Sequence, residues 1–132
     1  MTDKIKIFIV DDSKMGQMML SRLLTETSPH AEVVGESSNA SGAIFALEDA
    51  NPHIVMLKLN IPGDMDSEEA LRRIKEVDPN IYIVLCPMPQ DREELDNYIR
   101  TGKADNFLAK PIQKPALQRL IAAYGQRKRS QQ

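Results

Sequence analysis

Short apolar runs alternate along this chain with longer stretches in which apolar residues recur every three or four positions. The short runs are typical of strands, and the longer periodic stretches are typical of amphipathic helices. The pattern predicts five βα units, with strands at Lys4–Val10, Glu32–Glu36, Ile54–Leu59, Ile81–Cys86 and Asn106–Ala109 and helices at Lys14–Thr27, Gly42–Ala50, Glu68–Val77, Asp91–Thr101 and Pro115–Gly125.

The first, third and fourth predicted strands are almost continuous in Ile, Val, Leu and Met. Strands of this kind are covered by helices on both faces, as in parallel sheets. Because parallel strands are joined by right-handed crossovers, the expected fold class is α/β with a doubly wound five-stranded parallel sheet.

Polar residues stand where the predicted strands end. In a doubly wound sheet, ligands bind at the carboxyl ends of the strands, so residues at these ends should share one shallow pocket. The turn after the first strand has no Gly-x-Gly-x-x-Gly, and a phosphate-binding loop is absent, which argues against a nucleotide-binding protein or a small hydrolase. The expected pocket residues are Asp11, Asp12, Lys58, Cys86 and Lys110.

Composition narrows the possible functions. At 132 residues and 42% apolar content, the chain suits one domain, expected over residues 1–125, with a basic and polar tail over residues 126–132. The net charge of −2 gives no electrostatic reason to bind nucleic acid or an anionic membrane. A single cysteine excludes an internal disulfide, and no apolar run is long enough to span a bilayer. A cytoplasmic location is expected.

Three segments resemble the signature segments of response-regulator receiver domains: Val10-Asp-Asp-Ser13, Pro52 to Gly63, and Ala104 to Ile112. The resemblance extends over nearly the whole chain and is closest to the single-domain, chemotaxis-regulator type. It implies a flavodoxin-like (βα)5 fold with strand order 2-1-3-4-5, and a role in two-component or phosphorelay signal transduction.

The resemblance also implies roles for individual residues. Asp11 and Asp12 match the acidic pair that holds Mg²⁺, and Asn60 matches the residue whose backbone carbonyl is a further ligand. Asp64 and Asp66, in the following loop, are alternative acids. Other matched positions are the phosphoacceptor aspartate (Lys58), the hydroxyl residue that binds the phosphoryl group (Cys86), the lysine that pairs with its oxygens (Lys110) and the aromatic switch (Phe107).

The departures from the family pattern change the expected chemistry. Lys58 cannot accept a phosphoryl group as a carboxylate does, and its ammonium repels Mg²⁺. Cys86 is a weak hydrogen-bond donor, and the following Pro87 has no backbone N–H. Proximity to lysines would lower the pKa of a reactive Cys86 thiol, whereas burial would leave it inert.

We hypothesise that the Lys58 ammonium points at the carboxylates of Asp11 and Asp12 and replaces a divalent ion. A cation within about 4 Å relieves the repulsion between two neighbouring acids. The metal positions Asp11, Asp12 and Asn60 would then be empty, and no cofactor is expected. In the alternative interpretation, Lys58 extends into solvent without a fixed partner.

Two functions remain open. The first is a non-enzymatic pseudo-receiver that signals through protein–protein contacts with a histidine kinase, another receiver, an effector or a second copy in a homodimer. The second is a Mg²⁺-dependent phosphoacceptor receiver whose position 58 is altered. The surface formed by helix four, strand five and helix five is the expected contact face, by resemblance alone.

Overall fold

A computed structural model describes residues 4–63 and 65–130. Within them, five strands alternate with five α-helices, and a short 3₁₀ turn precedes the fourth helix. In chain order the elements are β1 Ile5–Val10, α1 Lys14–Thr27, β2 Ala31–Ser37, α2 Ala40–Ala50, β3 Ile54–Lys58, α3 Ser67–Val77, β4 Tyr82–Cys86, the 3₁₀ turn Pro89–Asp91, α4 Arg92–Arg100, β5 Asn106–Phe107 and α5 Lys114–Ser130.

The five strands form one parallel sheet in the order β2-β1-β3-β4-β5. The predicted α/β class and flavodoxin-like strand order are therefore confirmed. β1, β3 and β4 are the three central strands, which explains why their sequences are nearly continuous in apolar residues.

Alternate side chains of the central strands point to opposite faces of the sheet, so the molecule has two apolar cores. Phe8, Val55 and Ile83 belong to the core beneath α2, α3 and α4. Ile7 and Ile54 belong to the core beneath α1 and α5. Helices therefore cover both faces of the sheet, and the carboxyl ends of the parallel strands lie along one edge.

Side-chain oxygens cap the N-termini of three helices. Ser13 accepts from the N–H of Gly16 at the start of α1, and Asn39 accepts from Gly42 at the start of α2. At α3 the cap is Asp66, which accepts from the N–H of Glu69. This capping role accounts for Asp66, one of the two alternative acids, and Asp64 lies outside the described residues.

The C-terminal helix is longer than the sequence pattern predicts. Residues 126–130, assigned above to a polar tail, continue α5 as far as Ser130. Arg127 anchors this extension, since its Nη1 donates to Oδ1 of Asp105 at 2.9 Å and its guanidinium lies 5.0 Å from the ring centroid of Tyr82. The tail prediction was wrong about the conformation of these residues, which are helical although they are polar and exposed. A distant acid and an aromatic ring hold Arg127.

No helix within the described parts of the chain combines the length and apolar character that crossing a membrane requires.

Candidate functional site

The carboxyl edge of the sheet brings the predicted pocket residues together. Asp11 and Asp12 follow β1, Lys58 and Cys86 end the neighbouring strands β3 and β4, and Lys110 follows β5. Lys58 and Cys86 are direct register partners across the sheet. Residues from four segments of the chain thus form one site.

Lys58 forms an ion pair with Asp12. Its Nζ lies 2.7 Å from Oδ1 of Asp12, and the two side chains are 23% and 35% exposed. The hydrogen bond from Lys58 lowers the pKa of Asp12, and the same bond raises the pKa of Lys58. Both groups are therefore charged at neutral pH, and the alternative of an unpartnered Lys58 is not observed.

Asp11 has a different partner. Lys110 Nζ lies 2.6 Å from Oδ2 of Asp11, which is 4% exposed. The backbone N–H of Ser13 donates to the other carboxylate oxygen at 2.9 Å. The hypothesis that Lys58 pairs with both acids is thus wrong for Asp11, because the lysine after β5 reaches the more buried carboxylate. The Lys110–Pro111 peptide bond is cis.

The pocket includes a buried thiol and an aromatic ring that is partly exposed. Cys86 is buried, and burial raises the pKa of its thiol to about 12, although the charge of Lys110 opposes this. The thiol is therefore protonated at neutral pH and a poor nucleophile. Phe107, the predicted switch, lies on β5, is 47% exposed and lines a cavity that Lys110 also lines.

Asn60 lies just beyond the ion pairs, with its backbone in the left-handed region at φ 60°. Its side-chain Nδ2 donates to Oδ1 of Asp91 at 3.0 Å and to Oε2 of Glu94 at 2.9 Å. Its backbone N–H donates to Oγ of Ser67 at 3.0 Å. Asn60 therefore links the loop after β3 to the start of α4.

The sequence did not single out several residues that shape the site. Gln17, 5% exposed, donates from Nε2 to the backbone oxygens of Asp11 at 2.7 Å and Ser37 at 3.2 Å, so it joins the ends of β1 and β2. A polar residue on the core-facing side of α1 was the available signal. Asp91 and Glu94 carried no such signal in the sequence, because acidic residues are common in the first turn of a helix.

The donor set does not fit a divalent ion. Asp11 and Asp12 each have an ammonium group within 2.7 Å, and a nearby cation opposes binding of another. Among the described residues, no group of three or more His, Cys, Asp or Glu side chains is arranged to hold a metal. Mg²⁺ would require Lys58 to leave Asp12.

Comparisons with known proteins agree on one family. Residues 7–122 match the response regulator receiver domain. The chain is 31% identical over 108 residues to chemotaxis protein CheY of Thermotoga maritima, covering 82% of this chain and 87% of that protein. It is 29% identical over 117 residues to chemotaxis protein CheY of Halobacterium salinarum, covering 89% and 93%.

A solved structure has the same fold. It is the signal receiver domain of a modulated diguanylate cyclase from Desulfovibrio desulfuricans G20, with a TM-score of 0.83 and 24% identity, covering 98% of this chain and all of that one. At this identity, the likeness concerns the fold.

Proposed function

Because this chain belongs to the response regulator receiver domain family, we propose that it is a pseudo-receiver that signals without being phosphorylated. In this proposal Lys58 occupies the phosphoacceptor position. The general role, two-component signalling by a receiver domain, follows from the family itself.

The ion pair between Lys58 and Asp12, at 2.7 Å, is the observation that carries the proposal. An amine has no carboxylate oxygen to accept a phosphoryl group. Its positive charge also stands where a divalent ion would have to approach Asp12. The pair therefore opposes both the acceptor chemistry and the metal that assists it.

The buried thiol adds to this argument. Cys86 matches the family's phosphoryl-binding hydroxyl residue, and a protonated thiol is a much weaker hydrogen-bond donor than a hydroxyl. The following Pro87 has no N–H to offer. Signalling would then depend on contacts with a kinase, another receiver, an effector or a second copy, in the cytoplasm and without catalysis by this chain.

A second candidate is a Mg²⁺-dependent phosphoacceptor receiver with position 58 altered. It is favoured by Asp11, Asp12 and Lys110, which still meet at the carboxyl edge of the sheet. Restoring an acceptor would then restore the reaction.

Incubation with acetyl phosphate and Mg²⁺, followed by intact-mass measurement, tests the proposal. We expect no phosphoryl adduct on the wild-type chain and none on a Lys58→Asp variant, because Cys86 and Pro87 remain. An adduct on the variant alone would favour the second candidate. Lys114→Asp, which introduces an aspartate at an exposed position on α5, controls for nonspecific transfer of the phosphoryl group to a surface carboxylate.

A further inference from the structure

We infer that Asn60 is a positioning residue that couples the Lys58–Asp12 ion pair to the placement of α4. The inference rests on the proposed function, in which the state of the pocket is communicated by shape. It assigns to the Asn60 side chain a role different from the metal-ligand position that the family resemblance gives to its backbone.

The hydrogen bonds of Asn60 continue directly into α4. Asp91 accepts from Asn60 on one oxygen and from the backbone N–H of Met88 on the other, at 2.9 Å. Glu94 accepts from Asn60 on one oxygen and from the hydroxyl of Tyr98 on the other, at 2.9 Å. A continuous chain of hydrogen bonds therefore extends from the end of β3 to the buried side of α4.

The segment between Lys58 and Asn60 has little freedom. It contains only Leu59, which is 1% exposed and packs in the core beneath α2, α3 and α4. Asn60 is further held by the bond from its N–H to Ser67. A displacement of the Lys58 backbone would therefore be passed on to Asn60, because the tightly packed Leu59 between them does not absorb such a shift.

The chemistry of the asparagine amide suits this position. Two carboxylates, Asp91 and Glu94, converge on one nitrogen, and an amide NH₂ supplies two N–H donors without a charge. A connection from the pocket to α4 through Cys86 and Phe107 would lack comparable polar contacts. Cys86 is a buried, weak hydrogen-bond donor, and Phe107 has an apolar ring that is 47% exposed. The polar connection to α4 runs through Asn60.

Hydrogen exchange of the α4 backbone amides tests the coupling. Asn60→Gly removes the amide while keeping a residue that adopts positive φ readily. We expect α4 exchange to rise on the order of tenfold, as for the loss of hydrogen bonds to charged acceptors. The matched control is Asn51→Gly, which makes the same change at φ 48° at the C-cap of α2 and should leave α4 unchanged.

A second variant separates the effect of the hydrogen bonds that Asn60 donates from the effect of its side-chain volume. Asn60→Asp keeps the size of the side chain but turns an acceptor towards Asp91 and Glu94, so exchange in α4 should rise at least as far as in Asn60→Gly. Wild-type protection in Asn60→Asp, or in Asn60→Gly, would overturn the inference.

The coupling itself is measured by combining variants. Lys58→Met should raise α4 exchange about threefold in the wild-type background and add nothing in the Asn60→Gly background. An equal effect in both backgrounds would refute the coupling and leave the proposed function intact. A phosphoryl adduct on the wild-type chain would refute the proposed function without altering the exchange result.

Discussion

A β-carbon added at Gly16 would lie 2.6 Å from Oδ2 of Asp11, the oxygen that accepts from Lys110. A β-carbon does not approach another atom this closely outside its own bonds, so Asp11 would have to move. Asp11 is buried and held by Lys110 and the N–H of Ser13, which leaves its carboxylate little room. Glycine in the first turn of α1 is thus part of the construction of the site.

We therefore predict that Gly16→Ala destabilises the protein. In an open helical position, replacing glycine by alanine stabilises by up to about 1 kcal/mol. Here the displacement of Asp11 should make the same replacement destabilising. Gly125→Ala in α5 is the matched control, because its β-carbon would meet Arg129 only at 3.4 Å. Urea unfolding should show a loss of stability for the first variant and none for the second; equal gains would contradict the prediction.

Removing the cation at position 58 should cost stability at neutral pH. Lys58→Met leaves Asp12 without its partner, and because both side chains are partly exposed we expect a loss of about 1 kcal/mol in the free energy of unfolding. Lys114→Met is the control, since Lys114 pairs with Glu26 at 3.3 Å on a more exposed surface. A loss no larger than that of the control would contradict this prediction.

The pH dependence of this loss follows from the two pKa shifts. The pKa of Asp12 is lowered from 3.8 by Lys58, so its stabilisation is present above pH 3.8 and is lost as the pH falls through the folded value. The pKa of Lys58 is raised from 10.5, so its stabilisation is present below pH 10.5 and is lost as the pH rises through the folded value. The difference between wild type and Lys58→Met should be flat between these limits and shrink outside them.

The anchored end of α5 yields a further prediction. Arg127→Ala removes a hydrogen bond to Asp105 and the contact with Tyr82, and should cost about 1–2 kcal/mol. Burial acts to raise the pKa of Asp105, but hydrogen bonds from the Ile83 N–H, Arg127 and Lys75 hold it below 3.8. Thermal unfolding should show a clear loss for this variant.

Arg129→Ala is the control for this experiment, because Arg129 is an exposed residue in the last turn of α5. It should be close to neutral. Comparable small effects for both arginines would mean that the last turns of α5 add nothing to the fold.

Cys86 should resist alkylation in the folded protein. Its thiol is buried and its pKa is raised to about 12 by burial, so almost none of it is thiolate at pH 8. The rate of reaction with iodoacetamide should be at least about a hundredfold slower than for the urea-unfolded chain. Equal rates in the folded and unfolded states would refute the assignment of Cys86 as an inert core residue.

The order of strands and helices could be predicted from the sequence because burial imposes a period on each element. Continuous apolar runs marked the central strands, and periodic stretches marked the helices. Boundaries were less predictable. The pattern suggested a last strand as far as Ala109, whereas β5 is assigned only over Asn106–Phe107, although Leu108 and Lys110 still donate backbone hydrogen bonds to Leu85 and Pro87.

The sequence by itself determined that Asp11, Asp12, Lys58 and Lys110 would meet, because the carboxyl ends of parallel strands share one edge. Only the tertiary structure decided the pairing within that group, in which Lys110 reaches Asp11 across 99 positions and Lys58 is left with Asp12. It also decided that Asn60 binds Asp91 and Glu94. Long polar side chains have several possible partners, and distance and burial in the folded chain select among them.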